Sequence, residues 1–290
     1  MARARKLLRR VKAVKNIRTV TKTMEMVASA RFKKAHDRAV AARPFTDRLG
    51  ELVAELVSRG GQEASEHPLL AEHNGVGGNV LMVMTSNNGL CGPYNSNVLA
   101  VATRRAEEIR QSGSDLALHV VGKRGAQYLH YRKYPLAKTY VDFKQTPTYE
   151  VVAGIANGFI EDFVAKRISR LEVAYMQFIS SGQQAPVVAQ LLPLAAPQAA
   201  AVAAKAAYEF LPSPAEILDR LLPTAVRLRL YQCFLDAAVT EQIARTTAMR
   251  AATENADEML HELTVRYNRM RQAQITTELA EIMGGAAGIK

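Results

Sequence analysis

The chain has no tryptophan, only 6% aromatic residues and two cysteines among 290 residues. Platforms that stack single-stranded nucleic acid lean on aromatic side chains, so their scarcity weakens that class of function. Cys91 and Cys233 stand alone, without a Cys-x-x-Cys pair or a Cys/His cluster. Neither a disulfide framework nor a zinc site is indicated, and a reducing compartment suits such a chain. Helix breakers are scarce at both ends. The first 58 residues hold one proline, Pro44, and one glycine, Gly50; from Ala215 to Met283 only Pro223 intervenes and there is no glycine. Acidic residues are scarce in one place. Residues 1–38 carry thirteen Lys/Arg against Glu25 and Asp37, an excess equal to the formal +11 of the whole chain. The remainder is close to neutral. An uninterrupted apolar run long enough for a membrane is also missing: the best candidate, 185–204, is broken by Pro186, Pro193 and Pro197. The basic start lacks a following apolar segment, which disfavours a secretory signal, and its pattern continues into a helix, which disfavours a transit peptide.

What is present divides into three parts. Near the start, Leu7, Val11, Val14, Ile17, Val20, Met24 and Val27 recur at steps of three and four, a narrow helical stripe closer to a coiled-coil seam than to a globular face. The helix is expected to run to about residue 58, with Pro44 able to kink or split it. Residues 78–192 change character. Apolar, β-branched runs at 78–86, 116–122, 136–142, 170–180 and 186–194 alternate with helical patterns at 94–111, 123–131 and 147–167, which predicts an α/β domain with a largely parallel sheet. The link SGQQA between the last two runs is of hairpin length, so part of the sheet is expected to be antiparallel. A second long helix follows, with apolar positions at Leu218, Leu222, Val226, Leu230, Ile243, Met259, Leu263, Tyr267, Met270, Leu279 and Ile282. The predicted fold is a long antiparallel coiled coil of the N- and C-terminal helices with an inserted α/β domain. Its divisions are 1–58, 78–194 and 209–286.

The chemical candidates are few. TSNNGLCGPYNSN (85–97) follows an apolar run and holds Gly89 and Gly92, but it has neither the G-x-x-x-x-G-K-[ST] nor the G-x-G-x-x-G spacing that cradles phosphates. It reads as a βα turn whose glycines permit tight backbone geometry. The basic helix could neutralise nucleic-acid phosphates or meet acidic protein loops. Without a recognition motif or stacking residues, composition favours protein contact and leaves the nucleic-acid alternative open. His36, His67, His73, His119, His130 and His261 are scattered outside any Ser, Asp or Cys constellation, and Cys91 has no activating neighbour. A small-molecule enzyme would need a catalytic cluster in the α/β domain, and none is legible. The C-terminal tail is apolar and rich in small residues, which suggests a close-fitting apolar environment.

Three stretches carry a family signature: VKNIRTVTKTMEMVASARFKKA (14–35), NNGLCGPYNSN (87–97) and TEQIARTTAMRAATENADEMLHELTVRYNRMRQAQITTELAEIMGGAAGI (240–289). They closely resemble the gamma subunits of F-type ATP synthases, and AQLLPL (189–194) before the second helix fits too. The resemblance implies a central rotor shaft whose terminal helices lie inside a ring of alpha and beta subunits. It implies a Rossmann-like inserted domain at the foot, beside the epsilon subunit and the c-ring of the membrane sector. A peripheral position on the cytoplasmic face of the bacterial cell membrane goes with this. Ion flow turns ring and shaft, and the shaft drives the beta-subunit sites through ATP synthesis or hydrolysis. No catalytic site, cofactor or metal is implied for the shaft itself, and no nucleic acid among its partners. By position, Arg271, Gln272, Thr276 and Glu278 correspond to residues that contact a beta-subunit catch loop. Met24 corresponds to one that faces an acidic beta loop, and Arg245 to one that interacts with the N-terminal helix. The family's usual turn reads Asp-Arg-Gly-Leu-Cys-Gly. Here Asn87 and Asn88 replace both charged residues, which removes a positive charge expected to contact a beta subunit.

Overall fold

The computed structural model of the chain describes residues 2–59, 67–73, 76–143, 147–194 and 213–287. Helix α1 spans Ala2–Arg59 with Pro44 inside it. The proline splits nothing. Then follow β1 (Gly78–Met84), α2 (Tyr94–Gln111), β2 (Leu116–Val121), α3 (Lys123–Tyr131), β3 (Leu136–Tyr140), α4 (Tyr149–Val164), β4 (Ile168–Ser180), β5 (Gln183–Leu192) and α5 (Pro214–Ala287). The expected helix at 147–167 is shorter by a few residues at its ends. The expected start at 209 and all of 195–204 lie outside the described residues. Residues 185–192 of the apolar candidate belong to β5, and no helix among the described residues is long and apolar enough to cross a membrane.

The contacts group the chain into two units, residues 1–29 with 245–290 and residues 30–244, and both long helices run through the division. In the larger unit the five strands lie in the order β3-β2-β1-β4-β5. β1 pairs in parallel with β2 and β4, β2 pairs in parallel with β3, and β4 pairs antiparallel with β5. β1 reads as a continuous apolar run because both of its faces are covered. Leu81 and Val83, with Leu118, Val120 and Ala174, face α2, which buries Val98, Leu99, Ala102, Ala106 and Ile109. Val80, Met82 and Met84 face the other way, toward Val152, Ala156, Phe159 and Phe163 of α4. Each such fully buried large side chain contributes ~1.5–3 kcal/mol.

Long-helix residues complete this second face. Leu49, Val53 and Leu56 of α1 share its core with Leu218, Leu222 and Val226 of α5. Farther along, Ala35 and Ala39 cluster with Leu235, Val239 and Phe178. The numbers rise on one helix as they fall on the other, so the segments run antiparallel. Three polar contacts fix the sheet and α2 to them: Arg43 donates to the carbonyl of Phe178 (3.2 Å), Thr240 to that of Met176 (3.2 Å), and Tyr94 Oη of α2 to that of Ala237 (3.3 Å). On the opposite face Arg105 donates to both oxygens of the buried Glu172 carboxylate, at 2.7 and 2.8 Å, and ties α2 to β4. Bidentate pairing of this kind offsets the cost of burying the charge.

In the smaller unit α1 and α5 pair antiparallel as well. Arg18 contacts Asp257, the hydroxyls of Thr21 and Thr253 share a hydrogen bond of 2.8 Å, and Arg250 Nε donates to Glu25 at 3.2 Å. Buried positions on α5 here are Met249, Thr253 and Ala256, with Leu260, Leu263, Tyr267 and Met270 half-buried. The steps of three and four are those of a two-stranded seam.

Candidate functional site

The seam of the smaller unit differs from the one expected. Leu7, Val11 and Val14 lie in or near it, but the inward positions that follow are Thr21, Glu25 and Ala28. Ile17, Val20, Met24 and Val27 are instead 55, 52, 39 and 46% exposed. On α5, Leu260 is half-buried where Met259 was expected, and Met259 is 53% exposed. The physical reason is that small and polar residues fill this stretch of the seam. A reading weighted by hydrophobicity slides one residue toward the larger apolar side chains beside it. Glu25 accepts from Lys22 Nζ at 3.1 Å as well as from Arg250, and the Lys22 bond first, then Arg250, holds its carboxyl below the usual range. Its favourable contribution is therefore present above the ordinary glutamate pKa and is lost as acid protonates it.

The result is a helix pair with a thin, partly polar seam and an apolar flank turned outward. Met24, exposed on that flank, is one of the predicted site residues. Arg245 is half-buried on α5, one turn before Met249. Arg271, Gln272, Thr276 and Glu278 are all exposed. Thr276 donates to the carbonyl of Gln272, and Gln274 Nε2 donates to Glu278 at 2.8 Å. At helical spacing these residues fall on two neighbouring stripes. Arg271, Ile275, Glu278 and Ile282 form one; Gln272, Thr276, Leu279 and Met283 form the other. Ile275, Leu279, Ile282 and Met283 are 47 to 72% exposed. Polar hooks and apolar side chains thus alternate along one exposed face.

The turn after β1 is built by its own polar side chains. Thr85 Oγ1 donates to the carbonyl of Val121 (2.7 Å) and accepts from Gly125 N (2.9 Å). Asn95 Oδ1 accepts from Ser86 N at 3.0 Å, and Ser86 Oγ donates to the carbonyl of Asn88. Asn87 bridges two segments: its Nδ2 donates to the carbonyl of Phe143 (2.8 Å) and its Oδ1 accepts from Lys123 N (3.1 Å). Asn87, grouped by resemblance with the rotor–beta contacts, is half-buried and both ends of its amide are engaged within the chain. Asn88 is exposed, beside Leu90, which is exposed and has φ 62°. Cys91 is buried. The turn therefore brings Asn87 and Asn88 together but directs them differently. Met24, Arg245 and the four residues from Arg271 to Glu278 belong to the smaller unit.

Two features escaped the sequence reading. The seam positions Thr21, Glu25 and Ala28 were detectable only by extending the three-and-four steps backward from Ala35, Ala39 and Leu49. The bridging of Asn87 has no local signal, because its partners lie 36 and 56 residues away. Among the described residues no group of three His, Cys, Asp or Glu could hold a metal ion.

A family model described as ATP synthase matches residues 3–289. The ATP synthase gamma chain of Rhodopirellula baltica is 40% identical over 297 residues and covers 100% of both chains. That of Brevibacillus brevis is 37% identical over 282 residues, covering 97% of each. Among solved structures, a rotor chain of the Euglena gracilis mitochondrial ATP synthase has a TM-score of 0.64 at 15% identity. It covers 94% of this chain and 99% of its own. A chain of the Euglena OSCP/F1/c-ring assembly reaches 0.67 at 15% identity, covering 99% and 95%. The structures speak for the fold alone, and the full-length sequence relatives for descent: this chain belongs to the ATP synthase gamma chain family.

Proposed function

We propose that this chain is the rotating central shaft of an F-type ATP synthase, coupling ion flow through the membrane sector to ATP synthesis or hydrolysis at the beta subunits. The observation that carries the proposal is the helix pair of the smaller unit. Its seam is closed by Thr21, Glu25 and Ala28, while Ile17, Val20, Met24 and Val27 face outward. A flank of apolar side chains can slip past an apolar collar without breaking strong bonds at each step. The polar residues Arg271, Gln272, Thr276 and Glu278 supply points of engagement, and a planar guanidinium suits an acidic partner loop. Met24 and Asn88 are assigned to beta-subunit contact, Arg245 to contact with the N-terminal helix, and Asn87 to holding the turn in shape. The functional divisions are 1–58 and 209–286 for the shaft and 78–194 for the foot.

In this reading the alpha and beta subunits surround the shaft, and epsilon and the c-ring meet the foot. The complex sits on the cytoplasmic face of the bacterial membrane. The chain performs no chemistry of its own. The donors of the turn after β1 are spent on its own carbonyls and side chains, which favours a structural turn over a phosphate cradle. The test is single-molecule rotation. The chain is assembled with alpha and beta subunits, tagged at an exposed foot residue such as Ser96, and supplied with ATP. Stepwise unidirectional rotation of the tag is expected; ATP hydrolysis at full rate with a stationary tag overturns the proposal.

A further inference from the structure

A cavity of about 140 Å³ lies within the larger unit at the carboxyl ends of β1 and β2. The carboxyl ends of parallel strands are where open α/β sheets receive ligands. Its floor is apolar and aromatic, made by Met84, Val121, Phe143 and Phe234. Arg31, Lys34 and Arg38 of α1 line it at helical spacing, all exposed. Among the described residues no ion pair or side-chain hydrogen bond engages the charged end of any of the three. Glu241 is the only carboxylate on the lining, so the cations outnumber it. On the same lining the Oε1 of Gln242 is buried with no hydrogen-bond partner. A half-turn of that amide exchanges acceptor for donor at the same place, so it can meet either kind of ligand atom.

We infer that this cavity binds a small organic anion, one apolar ring with a carboxylate. An apolar protein cavity of ~150 Å³ is large enough for benzene, which sets the size of the ring. The three cations set the charge, and two of them, being arginines, set the preference for a planar carboxylate over a point charge. Inorganic phosphate would satisfy the cations and leave the aromatic floor unfilled. This site is separate from the exposed flank and hooks of the smaller unit and does not depend on them.

The test uses the folded full-length chain and 4-fluorobenzoate, followed by 19F NMR line broadening. Saturable binding with a dissociation constant on the order of 1 mM is expected for so small a ligand. The double variant Arg31→Gln/Arg38→Gln removes exposed charges and should weaken binding about tenfold or more, as loss of charge-assisted bonds does. Ala238→Leu, which adds volume to the lining, should abolish it while the thermal melt stays cooperative. Phosphate, which meets the cations but not the aromatic floor, should displace it only weakly even at tenfold excess. Absence of saturable broadening, binding indifferent to both variants, or equal displacement by phosphate would each overturn the inference.

Discussion

Gly122 shows how closely the turn after β1 is fitted to its neighbours. Its φ is 93°, and a Cβ there would stand 2.2 Å from the carbonyl oxygen of Thr85. A backbone oxygen cannot swing aside as a flexible side chain does. Gly122→Ala is therefore expected to cost ~3 kcal/mol, from the strained φ together with the clash. At ~2–4 °C per kcal/mol for a chain of this size, thermal unfolding should move down by roughly 6 °C or more. A shift under ~2 °C would contradict the geometry. Asn88 poses the opposite case. It is exposed, and its main-chain oxygen accepts from Ser86 Oγ at 2.7 Å. Asn88→Arg should leave the fold intact and put back the positive charge that the family's turn usually carries. In the assembled complex it is expected to change ATP hydrolysis, or ions moved per ATP, by ~2-fold or more through contact with an acidic beta loop. If neither quantity changes, the position has no such contact here.

At the scale of elements, the seam of the smaller unit makes a prediction that the sequence alone would have reversed. Ala28 is 1% exposed and Val20 is 52% exposed. Ala28→Leu should overpack the helix pair and cost ~1–3 kcal/mol, whereas Val20→Gln should fall within ~0.5 kcal/mol of the parent. Denaturant titration of the two variants separates the registers, and equal costs would mean the seam lies elsewhere. The strands were legible because each is an apolar run closed by turn residues, and β1, buried on both faces, has the least ambiguous signal. The antiparallel edge was legible from the short link before β5. The seam was not, because a coiled coil can be closed by Thr, Glu and Ala when its partner offers Thr253, Arg250 and Met249 in register. That information is split between positions more than 200 residues apart. The candidate contacts were named through resemblance rather than through chemistry. Arg271 and Gln272 have no local pattern that sets them apart from other exposed helical residues, and the bonds of Asn87 to Phe143 and Lys123 have none either.

At the scale of the molecule, the covalent path of torque can be named. The chain passes between its two units only within α1, at Ser29 and Ala30, and within α5, at Ala244 and Arg245. These two crossings are the covalent links between the units, and in the proposed rotor twist has a path through them. Helical stiffness there depends on unbroken i→i−4 bonding, and glycine weakens it at ~1 kcal/mol per site. The double variant Ala30→Gly/Ala244→Gly softens both crossings and leaves the outward flank, the hooks near Arg271 and the turn at Asn88 unchanged. In membranes carrying the assembled complex, ATP hydrolysis should stay within ~2-fold of the parent, because the hooks and flank still engage the catalytic ring. ATP-driven ion pumping should fall further than hydrolysis, because twist is absorbed where the helices were stiff. Fluorescence quenching of an ion-gradient dye, read beside phosphate release on the same membranes, gives the ratio directly. A ratio unchanged from the parent would show that the crossings are not where the shaft's stiffness resides.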